Sequence, residues 1–131
     1  LITEAPGGLM TPLKEKLFCF HLPLELRLPV VFIVNPSTNS INHYLNEINT
    51  ARTAGLDIRG VIINRFPAYS ENTEIKIFPE IIEKYTDVKI IGLIRNFRGK
   101  SVKTNELINE ILNGIDLEDV FKMKIPKLNN I

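Results

Sequence analysis

The run Leu28-Pro29-Val30-Val31-Phe32-Ile33-Val34 is apolar at every position and rich in β-branched residues. A strand with one wet face alternates, whereas an unbroken apolar run fits a strand buried on both faces of a parallel sheet. The period then changes. Asn35-Pro36-Ser37-Thr38-Asn39-Ser40 collects turn and capping residues, with Ser40 placed as an N-cap. Ile41, Tyr44, Leu45 and Ile48 recur at helical spacing until Gly55 offers a stop, which predicts a helix over about Ile41 to Ala54. The same alternation of patterns continues. Asp57 to Asn64 reads as a second strand, Pro67 to Ser70 as a turn, and Glu71 to Tyr85 as a helical stretch interrupted by Pro79. Val88 to Ile94 reads as a third strand, followed by short helices over Thr104 to Leu112 and Asp116 to Phe121 with Gly114 between them. Leu1-Ile2-Thr3-Glu4 has the look of a strand end, which carries the expectation of further chain upstream. Strands alternating with helices across short links predict an α/β fold with a parallel sheet, in which Val30 to Val34 and Ile58 to Ile63 are inner strands.

With 131 residues and 44% hydrophobic content, the chain can bury one real core, so it is a single domain or a large piece of one. Its 16 basic and 15 acidic residues are interspersed, and the net charge of +1 argues against nucleic acid or a membrane surface as the partner. Arg95, Arg98, Lys100 and Lys103 form a local basic excess, readable as a solvated loop or as an anion site. The single cysteine, Cys19, excludes an internal disulfide and suits a reducing, cytoplasmic setting. In the apolar stretch Leu17 to Phe20 it reads as a small buried hydrophobe, with His21 as a nearby histidine. No apolar run approaches the roughly 20 residues that a membrane-spanning helix needs.

Parallel sheets bind ligands where strands run into the loops before their helices. The first such loop, Glu4-Ala5-Pro6-Gly7-Gly8-Leu9-Met10-Thr11-Pro12, sets a carboxylate beside two glycines that allow close backbone approach to a phosphate or metal; a plain Gly-Gly turn fits equally. In the second, Thr38, Asn39 and Ser40 precede a helix whose free N–H groups favour an anion, and Asn42 and His43 fall in its first turn. In the third, Asn64 ends a strand and offers both donor and acceptor to a purine edge, or closes a turn. The fourth holds Gly99-Lys100-Ser101, but the earlier glycine of a phosphate-binding loop would fall on Ile94; the Gly55 and Gly60 pair is followed by Val61 and Ile62. Neither stretch is a P-loop.

Taken together and in order, Glu4 to Leu13, Leu28-Pro29-Val30-Val31, Ile41-Asn42-His43 and Ala54 to Asn64 resemble the C-terminal half of dethiobiotin synthetase, over roughly Glu4 to Ile94. The resemblance implies that residues 1–131 are the C-terminal part of one dethiobiotin-synthetase-like domain, an incomplete P-loop NTPase-like, Rossmann-like three-layer fold. It implies an ATP- and magnesium-dependent closure of a ureido ring on 7,8-diaminopelargonic acid, with carbon dioxide supplying the carbonyl, in a homodimer. By the same resemblance Glu4 is the magnesium ligand, and Glu4, Ala5, Pro6 and Gly7 contact ATP. Asn64 and Arg65 lie beside the adenine, and Arg95, Asn96 and Phe97 close over the nucleotide. Thr38, Asn39, Ser40 and Asn42 reach across the dimer to the substrate carboxylate.

The chain departs from that pattern at several points. Pro6 replaces a residue with an amide donor, Asn35 and Asn39 replace glycines, Ser37 replaces a frequent lysine, and Arg95 replaces a proline. The half bearing the P-loop, the catalytic lysine and a second metal carboxylate is expected elsewhere, upstream or on a separate chain, so this chain alone is expected to be inactive. Two other functions fit: a non-catalytic dimerisation or binding module of the same fold, and a related cobalamin-pathway amide-forming ATPase. Ile41-Asn42-His43 favours dethiobiotin synthetase over the latter.

Overall fold

The computed structural model describes residues 2–5, 7–97 and 102–124. Three strands form a parallel sheet in the order β3, β4, β5, comprising Val30–Val34, Ile58–Phe66 and Ile90–Arg95. A small antiparallel hairpin precedes it, with β1 at Pro12–Lys14 and β2 at Leu17–Phe18, followed by the short helix α1 at His21–Glu25. Helix α2, Ile41–Thr53, joins β3 to β4; α3, Thr73–Lys76, and α4, Phe78–Thr86, join β4 to β5. Helices α5, Thr104–Gly114, and α6, Leu117–Phe121, end the described chain.

Alternation along β4 builds three layers. Val61 and Ile63 enter a core with Phe32 and Val34 of β3, Ile48 and Ala51 of α2, and Phe78 and Ile82 of α4. Ile62 faces the other way, into a smaller cluster with Ile91 and Ile94 that is closed by Val31, Ile111, Ile115 and Val120. The centre of β4, Val61 to Ile63, thus has the continuous hydrophobicity of a strand covered on both faces. Pro79 divides the helical stretch as expected: it sits in the first turn of α4, where a missing N–H is tolerated, and Asp87 in the left-handed region ends that helix.

The structure corrects three expectations. β3 is parallel but is the edge strand among the described residues, and Ile33 is 55% exposed because α5 and α6 cover the far face only as far as Val31. Residues 2–5 form no strand, since an extended segment becomes one only when a ladder partner is present. Ser40 takes an α conformation and does not cap α2. The hairpin and α1 left no readable period because each element is so short. They carry Leu9, Phe20 and Leu24 onto the main core. Cys19 is buried, and His21 Nδ1 accepts the Phe18 N–H at 2.9 Å while its ring stacks on Phe20 at 4.1 Å, so His21 serves the hairpin.

Phe78 is fully buried and Tyr85, on the same helix, is mostly exposed. Phe78→Ala is expected to cost about 3–5 kcal/mol in chemical denaturation, against about 0.5 kcal/mol or less for Tyr85→Ala. Equal losses at the two positions would contradict this assignment of the core.

Candidate functional site

Each strand of a parallel sheet delivers its following loop to the same end, so the loops after β3, β4 and β5 share one rim. The glycine loop joins that rim through α2. Leu9 is buried, and its N–H donates to Glu47 Oε1 at 2.8 Å. A Cβ on Gly8 would stand 2.8 Å from the same oxygen, and one on Gly7, whose φ is +75°, would stand 2.6 Å from Thr11 Oγ1. The left-handed backbone accounts for Gly7, and the Glu47 carboxylate lies in the space beside Gly8. Glu47 Oε2 also lies 3.5 Å from His43 Nε2. Glu4 and Ala5 are exposed, and Pro6 lies outside the described residues.

The loop after β3 is closed on itself and tied to the next one. Ser40 Oγ donates to Ser37 O at 2.8 Å and accepts the Ser37 N–H at 3.0 Å. Asn39, with φ at +65°, donates its N–H to Glu74 Oε1 at 2.9 Å, while Asn72 Nδ2 donates to Thr38 Oγ1 at 3.3 Å. Tyr44 is half-buried: its hydroxyl accepts the Asn35 N–H and its ring meets Phe78 edge-on. Asn42 and His43 stay exposed.

At the end of β4, Asn64 Oδ1 accepts the Arg65 N–H at 3.0 Å, and Arg65 has φ +56°. The carbonyl of the Asn64 side chain is thus engaged locally. Pairing of Phe66 with Arg95, and the Asn96 N–H donated to Phe66 O at 2.9 Å, set the two strand ends side by side. Glu110 of α5 holds Arg95 twice, accepting its backbone N–H at 3.2 Å and facing its Nε at 3.0 Å; the guanidinium lies 5.5 Å from the Phe97 ring centroid. Of the basic cluster, Arg98 and Lys100 fall outside the described residues, as do Gly99 and Ser101.

Three glutamates that sequence reading did not single out, each on a helix, accept backbone N–H groups here: Glu47 from Leu9, Glu74 from Asn39, and Glu110 from Arg95 at the end of β5. Each lies among charged and polar helix residues, and only the folded chain shows which amide it meets. Asp119 lies at the other end of the sheet. The hydrogen bond from Lys122, and then its charge, hold the Asp119 carboxyl below the usual carboxylate pKa. Among the described residues no three His, Cys, Asp or Glu side chains converge on a metal position. Glu4 is an exposed single carboxylate, a donor suited to magnesium that keeps waters and phosphate oxygens as its other ligands. No helix among the described residues is long and apolar enough to cross a membrane.

Residues 1–99 match the model of a family described as AAA domain. The chain belongs to that family. Its parallel sheet and flanking helices are accordingly of the P-loop NTPase class. The chain of this AAA-domain family member is 35% identical over 96 residues to the ATP-dependent dethiobiotin synthetase BioD of Methanocaldococcus jannaschii, covering 73% of this chain and 45% of the relative. It is 35% identical over 92 residues to the synthetase of the same name from Bacillus subtilis, covering 70% and 39%. The synthetase of Nitrosopumilus maritimus is 28% identical over 123 residues, or 93% of this chain and 52% of the relative. The chain thus spans about half the length of the curated relatives it matches.

Glu47→Ala is expected to leave the Leu9 amide unpaired and cost about 1–3 kcal/mol of stability, whereas Glu47→Gln retains an acceptor and loses less. Hydrogen exchange should show selective deprotection of the Leu9 amide in Glu47→Ala; unchanged exchange there would refute this role for Glu47.

Proposed function

We propose that this chain is one part of an ATP- and magnesium-dependent dethiobiotin synthetase of the cytoplasm, acting on 7,8-diaminopelargonic acid and carbon dioxide. The observation that carries this reading is its alignment with dethiobiotin synthetases over most of its length. The loop after β3 tied to the segment after β4, and the ends of β4 and β5 paired side by side, support it.

In this proposal Asn64 and Arg65 flank the base, and Arg95, Asn96 and Phe97 form the adjoining wall. Because Arg95 is paired with Glu110 and lies against Phe97, it shapes that wall rather than neutralising phosphate charge. Glu4 holds magnesium, and the Glu4 to Gly7 segment, including Ala5 and Pro6, approaches the nucleotide. Thr38, Asn39, Ser40 and Asn42 receive the substrate carboxylate from a second subunit of a homodimer. Ring closure requires that one amine, as its carbamate, be phosphorylated before the other amine attacks the carbonyl and releases phosphate; ATP supplies the phosphoryl group and magnesium shields its charge. The 131 residues contain no phosphate-binding loop, so a P-loop half is required, contiguous with this chain or carried separately.

Calorimetric titration of the 131-residue chain with magnesium-ATP should give weak binding or none, and tight binding would overturn the need for a second half. In the complete enzyme, Asn42→Asp should raise the KM for the diamine about tenfold by repelling its carboxylate, with folding nearly unchanged. An unaltered KM, or full activity from a monomer in light scattering, would remove the shared substrate site.

A further inference from the structure

We propose that Asn72 and Glu74, at the start of α3, are positioning residues that hold the loop after β3 in the shape that takes the substrate carboxylate. This rests on the reading above that Thr38, Asn39, Ser40 and Asn42 receive that carboxylate. Asn39 has φ +65°, a left-handed conformation that asparagine tolerates but does not impose. Something beyond local propensity must therefore hold it. Ser37 and Ser40 close the turn around it. From α3, Glu74 Oε1 accepts the Asn39 N–H at 2.9 Å, and Asn72 Nδ2 donates to Thr38 Oγ1 at 3.3 Å. One four-residue helix thus grips two adjacent loop residues, across 35 and 34 positions of chain.

The grip is only as firm as α3 itself, which is fixed on both sides. From the end of β4 a series of short-range bonds leads into it: Ala68 N–H to Phe66 O at 3.1 Å, Ser70 N–H to Pro67 O at 2.8 Å, and Asn72 N–H to Ser70 Oγ at 3.2 Å. Asn72 then accepts the Glu74 N–H on its side-chain oxygen at 2.9 Å, so the oxygen caps α3 while the nitrogen holds Thr38. On its far side α3 runs into α4, whose Phe78 is fully buried and meets the Tyr44 ring of α2. Strand end and core together place the half-buried Glu74. Because Glu74 takes up the Asn39 N–H, an incoming carboxylate meets the next donors along, the first amides of α2, which a helix does not satisfy internally. The geometry asks for an acceptor of the right reach at position 74, and a charge there is not required.

The test is steady-state kinetics on the complete synthetase, with this chain joined to its P-loop half. Glu74→Ala should raise the KM for 7,8-diaminopelargonic acid about fivefold, with kcat and the KM for ATP unchanged. Glu74→Asp, which withdraws the carboxylate by one methylene, should do the same, while Glu74→Gln keeps the reach and stays near the unmodified enzyme. Asn72→Ser retains a cap for α3 but loses the amide that reaches Thr38, and should raise the same KM. Circular dichroism checks that each variant folds, and exchange of the Asn39 amide should quicken in Glu74→Ala but not in Glu74→Gln. An unchanged diamine KM in folded Glu74→Ala and Asn72→Ser, Glu74→Gln as impaired as Glu74→Ala, or a loss confined to kcat would each overturn the proposal. So would a KM that falls when the carboxylate is removed, since Glu74 would then compete with the substrate. An unmodified enzyme that forms no dethiobiotin would overturn the synthetase reading and this role with it. Normal turnover with unmoved KM values in the variants would overturn the positioning role alone.

Discussion

Burial of β4 on both faces and along both edges is the constraint on which the rest of the fold depends. Val61 and Ile63 point to one side, and Ile62 to the other. Every backbone group of such a strand needs a ladder partner, which β3 and β5 supply, and each face needs a cover, which α2 and α4 supply on one side and α5 and α6 on the other. Parallel pairing obliges each crossover to return to the starting end of the sheet. Convergence of the loops on one rim is thus a consequence of how β4 is buried rather than a separate feature.

The rim itself is held by carboxylates. Glu47, Glu74 and Glu110 reach from three helices to accept the backbone N–H groups of Leu9, which is buried, and of Asn39 and Arg95, which are exposed. These bonds couple loop position to helix packing. They also use backbone donors that a bound anion would otherwise contact, so Asn39 in particular meets an internal carboxylate before any external one. Arg95 is similarly committed, paired with Glu110 and placed against Phe97. These described groups of the rim are thus engaged with one another.

Much of the fold was legible in the residue pattern. The apolar runs at Val30 to Val34 and Val61 to Ile63, the helical spacing of Ile41, Tyr44, Leu45 and Ile48, and the break at Pro79 depend on local propensity and period, and a linear sequence carries both. Family membership was legible as well, because short motifs kept their order and interval. Less of the site could be read. Gly7 and Gly8 looked equally suited to a ligand or a turn, and only folding showed Thr11 and Glu47 in the space their side chains would need. Ser40 looked like a cap and instead closes its own turn with Ser37.

What the sequence determined by itself, then, is the kind of each main element and the class of fold, since periodicity and capping act over a few residues. The tertiary structure decided what lies far apart in the chain: that β3 stands at an edge with Ile33 outward, and that Glu47 meets Leu9 across 38 positions and Glu74 meets Asn39 across 35. A carboxylate on a helix surface has the same local signature whether it faces water or a loop amide. The choice between them is made by packing, which sets the Glu47 carboxylate against the buried Leu9 and the Glu74 carboxylate against the exposed Asn39.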